Sequence, residues 1–244
     1  FCLSRGLGDV YKRQGYVGEN SASPILIDGL KKLEYRGYDS AGIAVSENGK
    51  TDVVKTKGRI KNLEEKLEEV GGLSGTVGIG HTRWATHGAP TDVNAHPHKG
   101  GNGRITLVHN GIIENYIELK TMLQKGGYVF VSETDTEVLA HLFDYYYKGD
   151  LLDAMVNVMK TVRGSYAVAI LADDKPGTII AARKDSPLIV GLGDGENFLA
   201  SDIPAVLKYT RDCYLLEDNQ IAVLTKDNVT LYDLSLIHIS EPTR

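Results

Sequence analysis

Hydrophobic and polar residues repeat along this chain with two different periods, which predict helices and strands grouped by type. An apolar period near 3.6 residues predicts helices over 22–33, 60–70, 117–123, 137–147 and 151–159. Alternating or short apolar runs predict strands over 15–18, 41–46, 52–57, 75–80, 105–109, 166–171, 178–182, 188–190, 198–200, 221–224 and 229–232. Because strands and helices do not strictly alternate, the pattern favours an α+β fold.

Three polar segments interrupt this pattern beside predicted strands or helices. Residues 80–88 read Gly-His-Thr-Arg-Trp-Ala-Thr-His-Gly, the pair Asn110-Gly111 follows a buried run, and residues 132–135 precede a helix. Ordering such polar side chains costs conformational entropy that new contacts have to offset. We therefore predict three loops on a rigid scaffold, where binding residues are common.

The residue types in these loops suit the recognition of a free amino acid. The guanidinium of Arg83 matches a carboxylate, and the carboxylate of Asp135 accepts hydrogen bonds from an ammonium group. The Asn110 side chain and the Gly111 N–H are donors of the kind that stabilise an oxyanion. Each residue also has a purely structural interpretation: a surface ion pair for Arg83, a helix cap for Asp135, and a hairpin turn for Asn110-Gly111.

Composition narrows the class of protein. The chain has 244 residues, 42% of them hydrophobic and 24% charged, which is typical of a globular protein. Its net charge of -5 gives no indication of nucleic-acid binding. It lacks the run of about 20 apolar residues that would span a membrane, so we expect no membrane partner. Two cysteines, Cys2 and Cys213, are too few for a disulfide framework, so we expect a cytoplasmic protein, with Cys213 in the core.

Three histidines raise a competing function. His87, His96 and His98 lie in or near a segment rich in Gly, His and Asn, where they suggest a metallohydrolase. However, the His96-Pro97-His98 spacing does not match a helical ligand pair, and no cysteine lies nearby. We therefore expect no metal and no other cofactor, and keep the metallohydrolase as an alternative hypothesis.

Four segments, in order, resemble one known family. Residues 33–42, 80–88, 109–115 and 132–137 are similar to the N-terminal glutaminase domains of the isomerizing glutamine–fructose-6-phosphate aminotransferases (glucosamine-6-phosphate synthases). These domains are class II glutamine amidotransferases, and the resemblance extends over 15–234. It implies a four-layer αββα sandwich of the N-terminal nucleophile hydrolase type. Amidophosphoribosyltransferase has a related domain, but the run Thr82-Arg83-Trp84-Ala85-Thr86-His87 favours the aminotransferase.

The resemblance also implies a reaction and its partners. A cysteine attacks the side-chain amide of glutamine, ammonia leaves, and the thioester is hydrolysed to glutamate. In the full-length enzyme the ammonia passes to sugar-isomerase domains, which convert fructose 6-phosphate into glucosamine 6-phosphate. The family is homodimeric largely through those domains, so a monomer is compatible with this fragment. The implied roles are α-carboxylate binding for Arg83, α-amine binding for Asp135, an oxyanion hole for Asn110 and Gly111, a lid for Trp84, and pocket walls for Thr86 and His87.

The sequence departs from the family at the nucleophile. The family begins Cys-Gly-Ile-Val-Gly, and the last glycine matches Gly15, so cysteine is expected at position 11, where Tyr11 stands. Cys2 lies upstream and is followed by Leu3 rather than glycine. We therefore expect the nucleophile to be missing, which leaves a non-catalytic glutamine-binding module as a second hypothesis. We also expect 1–14 and 235–244 to be non-family extensions of foreign coding sequence, 15–234 to be the glutaminase domain, and the sugar-isomerase domains to be absent.

Overall fold

Two antiparallel sheets form the centre of the fold in the computed structural model, which describes residues 12–33, 39–83 and 88–240. The first sheet has the strand order β11-β9-β10-β1-β4-β2-β3. Its strands are β1 Lys12–Val17, β2 Ser40–Glu47, β3 Lys50–Lys57, β4 Val77–Arg83, β9 Ile189–Leu192, β10 Asn197–Ala200 and β11 Cys213–Leu215. The second sheet has the order β14-β13-β12-β8-β7-β6-β5. Its strands are β5 His98–Gly100, β6 Ile105–Ile113, β7 Gly164–Ala172, β8 Ile179–Lys184, β12 Ile221–Leu224, β13 Val229–Tyr232 and β14 His238–Ser240.

Helices cover the outer faces of both sheets. Helices α1 Ala22–Leu33 and α2 Ile60–Glu69 pack against the first sheet through one apolar cluster that includes Leu26 and Ile43. Helices α3 Tyr116–Lys125, α4 Asp135–Tyr146 and α5 Leu151–Thr161 pack against the second through another. A third cluster lies between the sheets, because the strands bury side chains on both faces. The order helix, sheet, sheet, helix confirms the predicted four-layer αββα fold.

Local sequence signals located several elements well. Helix α1 has the predicted bounds, and its apolar stripe faces the first sheet. The predicted hairpin is also confirmed: β2 and β3 pair through a turn in which Asn48 and Gly49 both have positive φ, at 51° and 77°. Only glycine and a few polar residues adopt that conformation readily, which is why Asn-Gly predicts this turn.

The predicted ends of two strands were wrong. Strand β4 continues to Arg83 and β6 continues to Ile113, so His81 to Arg83 and the pair Asn110-Gly111 lie in strands rather than loops. The short strands β5, β11 and β14 were not predicted. Cys213, predicted to be a core residue, is exposed at the first position of β11. The described residues include no helix long and apolar enough to cross a membrane.

The first strand buries two polar side chains. Arg13 lies between the sheets and donates to the backbone oxygens of Ala167 at 2.6 Å and Pro187 at 2.5 Å. Burial, together with the nearby charge of Arg183, lowers the pKa of the Arg13 guanidinium to about 9. Gln14 is fully buried, and neither polar atom of its amide has a hydrogen-bond partner among the described residues. Burying an unpaired polar group costs roughly 1–3 kcal/mol, so Gln14 destabilises the fold.

Strand β1 begins at Lys12 and β14 begins at His238, so both sheets include residues outside 15–234. The assignment of 1–14 and 235–244 as non-family extensions stays a prediction.

Candidate functional site

Arg83 is the last residue of β4, and backbone carbonyls hold its guanidinium. It pairs with Ser40 of β2, and its side chain is buried. Nη1 donates to the Asn94 oxygen and Nη2 to the Gly88 oxygen, each at 3.1 Å. These two bonds position the guanidinium, whose planar fork matches the geometry of a carboxylate.

The pair Asn110-Gly111 lies within β6, opposite Ala167 and Tyr166 of β7. Gly111 has a φ of 122°, and a Cβ added there would lie 2.0 Å from the backbone oxygen of Ser165, so only glycine fits. The Asn110 Oδ1 atom is 2.6 Å from Nε2 of His81. This contact uses the amide oxygen of Asn110, and the amide NH₂ on the same side chain is a donor of the type that stabilises an oxyanion.

His81 interacts with Asn110 as a neutral ring. Its burial between the sheets is the largest cause that lowers its pKa, to about 3, and the hydrogen bond to Asn110 opposes that shift. A neutral imidazole donates through only one nitrogen, and the short contact to Oδ1 requires that this nitrogen be Nε2. His81 therefore fixes which way the Asn110 amide faces.

Asp135 begins helix α4, and the preceding residues hold it there. Thr134 caps the helix by accepting from the Glu137 N–H, and the Glu137 carboxylate accepts from the N–H groups of Val131 and Ser132. Burial alone would raise the pKa of Glu137, but these bonds, the Ser132 hydroxyl and the nearby His141 ring lower it to about 2. Together these bonds hold residues 131–134 against the first turn of the helix.

A hydrogen bond ties Asp135 to β6, the strand that carries Asn110 and Gly111. The Asp135 Oδ2 atom accepts from the backbone N–H of Ile113 at 3.0 Å. Ile113 lies two residues after Gly111 on β6. The structure therefore ties the Asp135 carboxylate to the strand segment that follows Asn110 and Gly111.

Buried neutral histidines form hydrogen bonds and ring contacts around these residues. His96 bonds through Nδ1 to the His109 N–H and through Nε2 to the Thr136 hydroxyl, and its ring stacks on His81 at 4.1 Å. His98 contacts the Thr134 hydroxyl at 3.3 Å. Burial is the largest cause lowering the pKa of His96, His98 and His109. These rings link β4, β5 and β6 to the start of α4.

The histidine contacts bear on the metal hypothesis. Both His96 and His98 point a ring nitrogen at a threonine hydroxyl of the α4 terminus. In the part of the chain that the structure describes, no group of three or more His, Cys, Asp or Glu residues is arranged to hold a metal ion. His87, the third candidate ligand, lies outside the described residues.

The structure describes only some of the predicted site residues. It brings Asn110, Gly111 and Asp135 together and places Arg83 at the end of β4. Trp84, Thr86 and His87 of the predicted pocket, together with Tyr11 and Cys2, lie outside the described residues. The sequence analysis missed Asn94, which is buried and bonds both to the Arg83 guanidinium and to the Glu133 N–H. Its only signal was its position in a segment rich in Gly, His and Asn.

Comparison with known proteins identifies the class. The profile of the glutamine amidotransferase domain family matches residues 81–208, slightly more than half of the chain. The chain therefore belongs to that family. A solved glutamine phosphoribosylpyrophosphate amidotransferase from Bacillus subtilis has the same fold, with a TM-score of 0.80 and 27% identity over 93% of this chain and 50% of that one.

Curated relatives are more similar in sequence. The glutamine–fructose-6-phosphate aminotransferase (isomerizing) of Clostridium tetani is 60% identical over 219 residues, and that of Caldanaerobacter subterraneus is 56% identical over 220 residues. Each match covers 90% of this chain but 36% of the relative. The chain thus spans about a third of the length of these relatives.

Proposed function

We propose that this chain is the glutaminase part of a glutamine–fructose-6-phosphate aminotransferase and that its site binds L-glutamine. The observation that carries the proposal is the Asp135–Ile113 bond, which joins an anionic group to the strand of the oxyanion donors. Arg83 binds the α-carboxylate, Asp135 binds the α-ammonium group, and Asn110 and Gly111 bind the side-chain amide oxygen. Trp84 covers the pocket, and Thr86 and His87 line it. The identity of 54–60% to aminotransferases favours this family over amidophosphoribosyltransferase, at 27%.

The reaction itself requires a nucleophile at position 11. A cysteine there passes its thiol proton to its own α-amino group and attacks the amide carbon, so that the carbonyl oxygen becomes an oxyanion held by Asn110 and Gly111. The carbonyl then re-forms as a thioester, the C–N bond breaks, and the α-amino group returns the proton to the nitrogen, which leaves as ammonia. Water then hydrolyses the thioester to glutamate. The next residue, Lys12, is the first residue of β1 and pairs with Thr82, the neighbour of Arg83. With Tyr11 in place of cysteine, the chain binds glutamine without cleaving it.

A second candidate function follows from the same substitution. A chain with a glutamine pocket and no thiol at position 11 suits a non-catalytic glutamine-binding module, which binds glutamine but does not hydrolyse it. In the full-length aminotransferase, the proposed acceptor of ammonia is the sugar-isomerase part with its fructose 6-phosphate. The domain bounds 15–234 and a cytoplasmic location belong to this proposal.

Calorimetric titration of the purified chain with L-glutamine tests the binding site. We expect saturable binding that Arg83→Met abolishes and that Asp135→Asn weakens by about tenfold or more, since each removes a charged contact. Arg163→Met is the matched control, because Arg163 is an exposed arginine paired with Glu118. Binding that is absent from the parent chain, or unchanged in Arg83→Met, would contradict the proposal.

A further inference from the structure

One buried asparagine connects strand β4 to the start of helix α4, the two elements that bear the charged groups of the site. The backbone oxygen of Asn94 accepts from Nη1 of Arg83 at 3.1 Å. The side-chain Oδ1 of the same residue accepts from the backbone N–H of Glu133 at 3.0 Å, two residues before Asp135. Asn94 thus touches the Arg83 guanidinium with its backbone and the α4 terminus with its side chain.

The remaining contacts of Asn94 fix its own position. Its Nδ2 donates to the Ala89 oxygen at 3.0 Å and to the Glu133 carboxylate at 3.3 Å, and its backbone N–H donates to the Thr91 hydroxyl at 3.2 Å. Asn94 itself is only 3% exposed, while its partners Ala89, Thr91 and Glu133 lie at the surface. Both polar ends of the buried amide are paired, and this fixes its orientation because a rotation would break these bonds.

Lys55 and Gly88 both contact the segment around Asn94. Lys55 of β3 donates through Nζ to the backbone oxygens of Val93, Ala95 and Pro97, at 2.7 to 3.1 Å. Gly88 packs so closely that an added Cβ would lie 2.8 Å from Nδ2 of Asn94 and 3.2 Å from Cβ of Glu133. The segment from Val93 to Pro97 is therefore held in place by contacts beyond its own backbone.

We propose that Asn94 is a positioning residue that fixes the Arg83 guanidinium relative to the Asp135 carboxylate, and that this spacing gives the site its preference for L- over D-glutamine. The inference rests on the proposed function. Chiral selection needs three fixed attachment points, here Arg83, Asp135 and the Asn110-Gly111 donors. Asp135 is already tied to the donors through Ile113, so Asn94 supplies the connection to the remaining point.

Calorimetric titration with L- and D-glutamine tests the inference on the full chain. In Asn94→Ala we expect the affinity for L-glutamine to fall about tenfold and the ratio of D to L dissociation constants to fall by a similar factor. Asn197→Ala is the matched control. Asn197 is equally buried and also bonds backbone carbonyls of a distant segment, but it pairs with Val17 at the far end of β1. It should lower the melting temperature and leave the ratio unchanged.

Two further variants perturb the same contact without shortening the Asn94 side chain. Asn94→Asp keeps the acceptor for the Glu133 N–H but places a second carboxylate against the Glu133 side chain. Gly88→Ala forces a methyl group against Nδ2 of Asn94, whereas Gly177→Ala has a similar φ, at 75° against 78°, with open space around it. We expect the first two to reduce the L-over-D preference and Gly177→Ala to retain it. Asn94→Asp and Gly88→Ala, with Gly177→Ala as control, test the positioning role of Asn94 even if Asn94→Ala does not fold.

The outcomes separate the two proposals. If the parent chain does not bind L-glutamine, the proposed function fails and this inference with it. If the parent binds, Arg83→Met abolishes binding, and Asn94→Asp and Gly88→Ala retain the parent ratio, the function stands and the positioning role of Asn94 is wrong. An equal fall of the ratio in Asn197→Ala would also overturn it, because general destabilisation would then explain the effect.

Discussion

Four buried histidines should make the folded chain lose stability as the pH falls below about 6.5. Burial is the largest cause that lowers the pKa of His81 to about 3 and of His109 to about 4, and it also lowers the pKa of His96 and His98. In the unfolded chain each ring regains a pKa near 6.5. The unfolded state then binds more protons than the folded state below that pH, so acid favours unfolding.

The size of the effect follows from the two pKa values. Between pH 7.5 and pH 5.0, His81 and His109 should each remove about 2 kcal/mol from the free energy of unfolding. Together they remove about 4 kcal/mol of a total that is roughly 5–15 kcal/mol in ordinary proteins. His96 and His98 act in the same direction. The loss begins near pH 6.5, well above the range in which ordinary carboxylates titrate.

Urea unfolding followed by far-UV circular dichroism at several pH values measures this loss. We expect the free energy of unfolding to fall by at least about 4 kcal/mol from pH 7.5 to pH 5.0. Proton NMR of the imidazole Cε1–H resonances provides an independent check, because those of His81 and His109 should not titrate above pH 5 and those of His96 and His98 should titrate well below pH 6.5. A change below about 1 kcal/mol, or all resonances titrating near pH 6.5, would refute the description of these histidines as buried and neutral.

Substitutions at three positions test other parts of the structure by urea unfolding. Gln14→Val should raise the free energy of unfolding by about 1–3 kcal/mol because it removes an unpaired buried amide. Gln220→Val is the control and should lower the free energy of unfolding, since Gln220 accepts from the Glu217 N–H. A lower free energy of unfolding in Gln14→Val would contradict the burial of an unpaired Gln14 amide. Gly111→Ala should destabilise by more than about 2 kcal/mol, whereas Gly195→Ala, with positive φ and open space, should cost about 1 kcal/mol; equal costs would argue against the close approach to Ser165. Lys55→Met should cost about 2 kcal/mol by leaving three carbonyls without their charged donor, and an unchanged midpoint would count against those bonds.

Much of the fold could be predicted because the signals are local. The apolar stripe of α1 and the Asn48-Gly49 turn depend on neighbours a few residues away, and both were located correctly. The identities of the site residues came from short motifs that also lie within single segments. Their placement at the ends of β4 and within β6 was wrong in the prediction, which took polar residues to mean loops.

That error has a physical cause in the long-range partners of the polar residues. His81, His109 and Asn110 lie in buried strands, where the His81 ring bonds to the Asn110 side chain and the His109 ring bonds to the Thr136 hydroxyl. These partners are separated by up to 29 residues in sequence, so no local pattern indicates that they meet. Asn94 escaped prediction for the same reason, since Glu133, its partner, lies 39 residues away.

The most direct test of the account restores the nucleophile and measures ammonia. A variant in which residues 1–10 are replaced by an initiator Met and residues 11–14 by Cys-Gly-Ile-Val should release ammonia from L-glutamine once that Met is removed. A thiol alkylator should abolish the release, and the parent chain should release none. If the restored variant folds and binds L-glutamine but releases no ammonia, the assignment of Asn110, Gly111, Arg83 and Asp135 to a glutaminase site is contradicted.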